Sequence, residues 1–318
     1  MIGIVGTSGH QAQIQTKYHE WYGMSLICLI TLRIRCYRLM VQVGRSGLTH
    51  ARFFFNLQIL VITILAIAGC DLQNKMLYYP SQSVPSQESL AADNIAFWPS
   101  GVEGYRGYIS TAAVNSRRGT VVVFHGNAGT ASDRVYYVKA LVPLGFRVIL
   151  AEYPAYGGRK GGLGEAAFVN DARETLHLAM EKCGRPIFLL GESLGCGVAA
   201  SAAKDASVPI EGIVLITPWD TLLSVAKEKF PWLPVSLLLR DKYDTVDNMK
   251  AFKGRIAIVA ADRDEVIPVR HALALYESLP GSRKMWVIQG AGHNDWPELV
   301  GPSLWKELAD FIEGSKRI

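Results

Sequence analysis

Short, unbroken runs of apolar and β-branched residues alternate along this chain with stretches of helical spacing. Thr120 to Phe124, Arg147 to Ala151, Pro186 to Leu190, Gly212 to Ile216, Arg255 to Ala260 and Lys284 to Ile288 each read as a strand, the first of them buried. Between them, Ala131 to Val142, Gly164 to Met180, Gly195 to Ala203 and Leu304 to Ile312 place apolar residues at helical intervals. This alternation predicts an α/β architecture, a mostly parallel central sheet flanked by helices. Ile95 to Phe97 and Tyr105 to Ser110 predict antiparallel strands at one edge. Residues 218–250 break the rhythm with two Trp and several Pro. They read as a short helical cap over the sheet or as a pair of ordinary crossover helices.

Upstream of this body the pattern changes. Residues 53–69 form an apolar run, continuous from Ile59 to Ala68 apart from Thr63, flanked by Arg45 and Arg52. The length and the positive flank suit a secretory leader better than a full span. Ile67-Ala68-Gly69-Cys70 resembles the bacterial lipobox. That resemblance implies cleavage before Cys70, acylation of it, and a membrane-anchored, extracytoplasmic protein. An uncleaved N-terminal anchor is the alternative. Asp71, next to the Cys, resembles an inner-membrane retention signal in some bacterial lineages. Residues 1–39 suit neither reading, and Met40 offers a normal start. The predicted organisation is a leader over 1–69, a tether over 70–90, whose Pro/Ser/Gln-rich stretch Pro80 to Ser89 reads as a tether or an extended surface arm, and the α/β domain over 91–318.

Charge follows the same division. The 318-residue chain carries a formal charge of +5, but Lys17, Arg33, Arg35, Arg38, Arg45 and Arg52 against the single acid Glu20 place it in the leader. The body is neutral, which argues against nucleic acid as a partner. The five Cys form no CxxC or Cys/His cluster, and HExxH is absent, so a metal enzyme is not expected. A Cys183–Cys196 disulfide is not expected either, because a strand separates the two by roughly 15 Å.

The candidate chemistry lies at the ends of the predicted strands. Gly191-Glu192-Ser193-Leu194-Gly195 matches G-x-S-x-G between a strand and a helix, the setting of a nucleophile elbow. A seryl hydroxyl needs a base, and His293, in the Gly-rich loop after the last strand, is the candidate. The imidazole needs an acid to orient it. Asp264 has the best position in Asp262-Arg263-Asp264-Glu265-Val266-Ile267-Pro268, with Asp262 and Glu265 as competitors. For the oxyanion, the Leu194 amide stands at a helix N-terminus, and the Asn127 amide in His125-Gly126-Asn127-Ala128-Gly129 is the second candidate donor. His125 is read as bracing that loop. Gly157 to Gly162 lacks the Walker pattern and reads as a mobile loop near the site. Cys196 reads as packing.

The order Ser193, Asp264, His293, together with HGNAG, EYPAYG, GESLG, DRDEVIP and GAGHND, resembles the serine-hydrolase branch of the α/β-hydrolase superfamily. More narrowly it is similar to small membrane-associated members with an HGN-x-G oxyanion loop, including mammalian α/β-hydrolase-domain thioesterases. The likeness runs from about Gly119 to Ile312. It implies hydrolysis of a small acyl ester or thioester with no cofactor. Acyl transfer by the same residues, and a non-catalytic membrane-anchored scaffold, are the rival expectations. Peptidase activity is less expected, because no gating domain accompanies these motifs.

Overall fold

The computed structural model describes residues 73–112 and 118–314. The leader over 1–69, the Met40 start and Cys70 lie outside the described residues. Eight strands form one sheet: β1 (Ile95–Trp98), β2 (Gly107–Ser110), β3 (Thr120–Phe124), β4 (Arg147–Ala151), β5 (Ile187–Glu192), β6 (Ile210–Ile216), β7 (Arg255–Ala261) and β8 (Arg283–Ile288). Their spatial order is β1-β2-β4-β3-β5-β6-β7-β8. β2 runs antiparallel to both neighbours, and the other pairs are parallel. The predicted edge strands therefore form, and they sit at the predicted edge.

Side chains alternate across the pleat, so one apolar run feeds two cores. In β5, Ile187 and Leu189 enter one cluster, while Phe188 and Leu190 enter the other. In chain order the helices are α1 (Gln87–Ala92), α2 (Val135–Leu141), α3 (Glu165–Cys183), α4 (Leu194–Lys204), α5 (Leu222–Lys229), α6 (Val235–Leu238), α7 (Thr245–Met249), α8 (Val269–Ser278), α9 (Trp296–Leu299) and α10 (Pro302–Glu313). α3, α4 and α8 cover the first face; α2 and α10 cover the second, through Tyr137, Val138, Trp305 and Leu308. This is the predicted α/β architecture.

Three elements differ from expectation. The helix expected over Ala131 to Val142 starts as a 3-10 turn, Ala131–Arg134, and ends in another, Val142–Leu144. Pro143 has no N–H to continue the ladder. The excursion after β6 is shorter than 218–250: Thr221 and Asp244 bridge at its base, and α7 beyond it packs on α4. Between those two residues the chain forms α5 and α6 outside the sheet, which is the cap reading rather than the crossover reading.

The stretch expected as a tether is, in its described part, built into the body. Residues 73–77 are helical and Tyr78 is buried. Tyr79–Pro80 pairs in parallel with Ala128–Gly129. Ser86 then caps α1 by accepting from the Ser89 amide. Residues 82–89 are mostly exposed, as an extended surface arm would be, but residues 79–81 are held by backbone hydrogen bonds from residues about fifty positions away, which composition does not register.

Candidate active site

The sharp turn between β5 and α4 carries Ser193 at φ 53° and ψ −115°, a strained conformation for a residue with a Cβ. Its own amide donates to the Ile216 carbonyl at 2.9 Å. The flanking glycines are required by space. A Cβ on Gly191 would lie 2.5 Å from the Gly195 carbonyl oxygen, and one on Gly195 would lie 2.0 Å from that of Phe124. Gly195→Ala is therefore expected to destabilise the protein by about 3 kcal/mol or more, at or above the top of the overpacking range. A matching fall in the urea midpoint would check this; an unchanged midpoint would show that the turn can shift at no cost.

Strands β7 and β8 end beside this turn and present the two partners. His293 Nε2 accepts from the Ser193 hydroxyl at 2.9 Å. His293 Nδ1 donates to Asp264 Oδ2 at 2.7 Å. The second carboxylate oxygen of Asp264 accepts the Val266 and Ile267 amides at 2.9 and 2.6 Å, which fixes the carboxylate in the plane that the ring needs. All three side chains are buried. The competing acids have other partners: Asp262 accepts the Gly290 amide, and Glu265 accepts the His293 amide.

The Gly126 backbone approaches the serine, since a Cβ there would lie 3.7 Å from the Ser193 Cβ. Asn127, next in the chain, is held on three sides. Its carbonyl accepts from the Tyr79 amide at 2.9 Å and the Tyr156 hydroxyl at 2.7 Å, and its side chain donates to the Leu77 carbonyl. Leu194 is the first residue of α4, where backbone amides lack intrahelical acceptors. Behind the loop, His125 donates from Nδ1 to the Gly126 carbonyl at 2.7 Å and meets Glu152 at Nε2 at 3.0 Å. Glu152 also accepts the Ala131 amide. Both ring nitrogens of His125 are thus committed to bracing.

Glu192, the unspecified position of the motif, has a structural task that its place in the sequence did not signal. It is buried and accepts from Arg134 at 3.2 Å, Tyr136 at 2.5 Å and Tyr137 at 2.8 Å. Burial alone would raise its pKa; the Arg134 charge and the two hydroxyls outweigh this and hold it below the ordinary carboxylate value. A depressed folded pKa contributes stability above the unfolded value, and that stability is lost as pH falls through the folded one. Glu192→Gln leaves Arg134 buried without its counter-charge, and about 3–5 kcal/mol of stability should go with it at neutral pH. The deficit should begin to narrow as pH falls below the ordinary carboxylate value, where the unfolded chain takes up the proton, and should close only lower still, as the folded carboxylate protonates too. Urea titrations of both proteins across pH check this, and a pH-independent difference would assign the loss to packing.

Cys196 lies inside α4, donates weakly to the Gly191 and Ile216 carbonyls, and burial pushes its thiol well up. That is packing, as expected, and Cys183 and Cys196 are free thiols. The Gly157–Gly162 loop, expected to be mobile, is pinned. Arg159 pairs through two nitrogens with Asp171 and also donates to the Glu152 carbonyl, while Gly157 donates to Ser81.

The sheet order, the elbow after β5 and the polar groups at the ends of β7 and β8 define the α/β-hydrolase class. Comparison with known proteins agrees, and the chain belongs to the α/β-hydrolase superfamily. Residues 115–238 match a family model described as serine aminopeptidase, S33. An uncharacterized protein of Mycobacterium tuberculosis is 30% identical over 253 residues, covering 76% of this chain and 89% of that one. The lysophosphatidylserine lipase ABHD12 of Danio rerio is 24% identical over 219 residues, 60% of this chain and 57% of its own. The Pyrococcus furiosus esterase Pf2001 superposes with a TM-score of 0.54 at 15% identity, covering 75% of this chain and 97% of that structure, a likeness of fold. A hydrolase is the enzyme class that fold and family support.

Proposed function

We propose that this hydrolase cleaves carboxylic esters or thioesters through an acyl-enzyme on Ser193. The observation that carries the proposal is the continuous hydrogen-bonded path from the Ser193 hydroxyl through both nitrogens of His293 to Asp264, at 2.9 and 2.7 Å. In the proposed reaction His293 takes the seryl proton as Ser193 attacks the acyl carbonyl, and Asp264 stabilises the imidazolium. The Asn127 and Leu194 amides receive the oxyanion. The proton then passes from His293 to the leaving alcohol or thiol. Water, deprotonated by His293, attacks the acyl-enzyme and releases the acid. None of these steps calls for a cofactor.

The lipase name of the vertebrate relatives favours an acyl ester over a peptide as substrate. The apolar run over 53–69 and Cys70 favour attachment to a membrane outside the cytoplasm. A fluorophosphonate probe should label Ser193 in the folded wild type and fail to label Ser193→Ala. Absence of labelling in folded wild type would favour the scaffold reading. Product analysis with an added alcohol separates hydrolysis, which gives the free acid, from transfer, which gives a new ester. A p-nitrophenyl ester chain-length series reports the preferred acyl chain, and turnover of aminoacyl amides but not of esters would overturn the proposal.

A further inference from the structure

We propose that the tip of the cap docks on an anionic lipid surface, so that Ser193 draws acyl esters from a membrane; this rests on the ester-hydrolase reading above. Three observations place that surface. The first is exposed apolar area. Leu237 is 85% exposed, Trp232 58% and Leu238 42%, and all three lie within one short segment of the cap. Folding gains nothing from presenting a Leu, a Leu and a Trp to water, and a large exposed apolar group flanked by cations suits the membrane interface.

The second observation is charge. Lys227, Lys229, Arg240 and Lys242 flank the tip, against only Glu228 and Asp241. Both acids are occupied within the protein: Glu228 by Arg270 and His271, and Asp241 by Tyr78 and Gln73. Lys227 and Arg240 are exposed, and Lys229 and Lys242, whose ammonium groups donate to the Glu265 and Leu239 carbonyls, keep their charge, so the tip carries a local positive excess, which anionic headgroups attract. The neutral charge of the body as a whole makes this local excess selective.

The third is where the chain arrives. Gln73 is bonded to the cap itself. Its side-chain carbonyl accepts the Arg240 amide at 2.7 Å, and its side-chain amide donates to Asp241 at 2.7 Å. Gln73 lies three peptide steps from Cys70, a reach of about 11 Å at most. An attachment at Cys70 would therefore hold the cap rather than the opposite edge of the sheet against the membrane. The cap in turn touches the site. Lys229, at the end of α5, donates to the Glu265 carbonyl at 2.7 Å, one residue from Asp264. Docking thus sets the acid loop and the serine beside the lipid.

The test uses the full chain reconstituted into vesicles of phosphatidylcholine and phosphatidylglycerol in which part of the phosphatidylcholine carries brominated acyl chains, which quench nearby tryptophan. Trp98, Trp219, Trp296 and Trp305 are buried, and Trp232→Phe separates the Trp232 contribution from that of Trp21 and Trp286. The expected result is strong quenching in wild type, a clear loss of that component in Trp232→Phe, and weaker quenching in Lys227→Glu/Arg240→Glu or at high salt. Equal quenching in wild type and Trp232→Phe would overturn the proposal, as would indifference to both charge reversal and salt. As a second readout, Leu237→Ser/Leu238→Ser should lower hydrolysis of a vesicle-borne long-chain ester on the order of tenfold while leaving a water-soluble short-chain ester unchanged. An equal fall on both substrates would overturn the docking role. Quenching reports docking without turnover. Normal quenching with no labelling of Ser193 by fluorophosphonate therefore retires the hydrolase reading alone, and normal labelling with no Trp232 quenching retires the docking alone.

Discussion

Ser193→Ala is expected to lower turnover of an activated ester by about 10⁶-fold, the loss seen when a serine nucleophile is removed from a unit of this kind. The effect is this large because the other parts cannot act alone. His293 then has no hydroxyl to deprotonate, and the carboxylate behind it stabilises a cation that never forms. Any remaining rate would come from binding and the amide donors. Stability should move little, or in the opposite direction. Ser193 sits at φ 53°, where a side chain carries strain. Alanine keeps that strain and glycine removes it, so Ser193→Gly should be inactive yet more stable than wild type by about 1 kcal/mol. Ester turnover and a urea midpoint on the three proteins check both halves. Retention of more than a few percent of activity in Ser193→Ala would transfer the chemistry to another group and retire the acyl-enzyme.

Asp264→Asn should cost about 10⁴-fold in turnover with the serine and histidine left in place. The geometry says why. Asp264 Oδ1 accepts two backbone amides, from Val266 and Ile267, and an asparagine oxygen would keep both. Its NH₂ would then face His293 Nδ1, where the carboxylate now accepts. A donor there forces the ring into the tautomer with its proton on Nε2, and that nitrogen can no longer accept the Ser193 proton. The defect should therefore fall on kcat, with fluorophosphonate labelling slowed in proportion and the thermal midpoint little changed. Asp262→Asn is the matched control, since Asp262 accepts the Gly290 amide rather than the His293 ring and should keep near wild-type turnover. Equal losses in the two variants would mean that Asp264 acts through the loop's shape.

Much of this site was readable in the sequence because its signals are local. Ser193 follows directly on a strand, Asp264 and His293 come in the short loops after two others, and the residues around them are those a tight turn requires. Glu192 was not readable. Its place in the motif accepts any residue, and its task depends on Arg134, Tyr136 and Tyr137, more than fifty positions earlier. Glu152 was visible in EYPAYG but unassigned, because its role is to hold His125, which the chain brings to it only through the β3–β4 pairing. That the arm around Tyr79 pairs with the Asn127 loop is not legible in its composition, for a similar reason. Pro, Ser and Gln favour extended backbone, and an extended backbone can pair with another loop as readily as it can stay in water.

By itself, then, the amino-acid sequence determined the alternating architecture, the turn that strains Ser193, and the identity of the residues offered as base and acid. These depend on side-chain periodicity and on glycines that act within a few positions. Only the tertiary structure decided which of three neighbouring acids meets the imidazole, where the excursion after β6 leaves and rejoins the body, and that the arm at residues 73–81 grips both the Asn127 loop and the cap. Those outcomes are set by hydrogen bonds between distant segments. Such bonds form only once burial has brought the segments together and removed water as the competing partner.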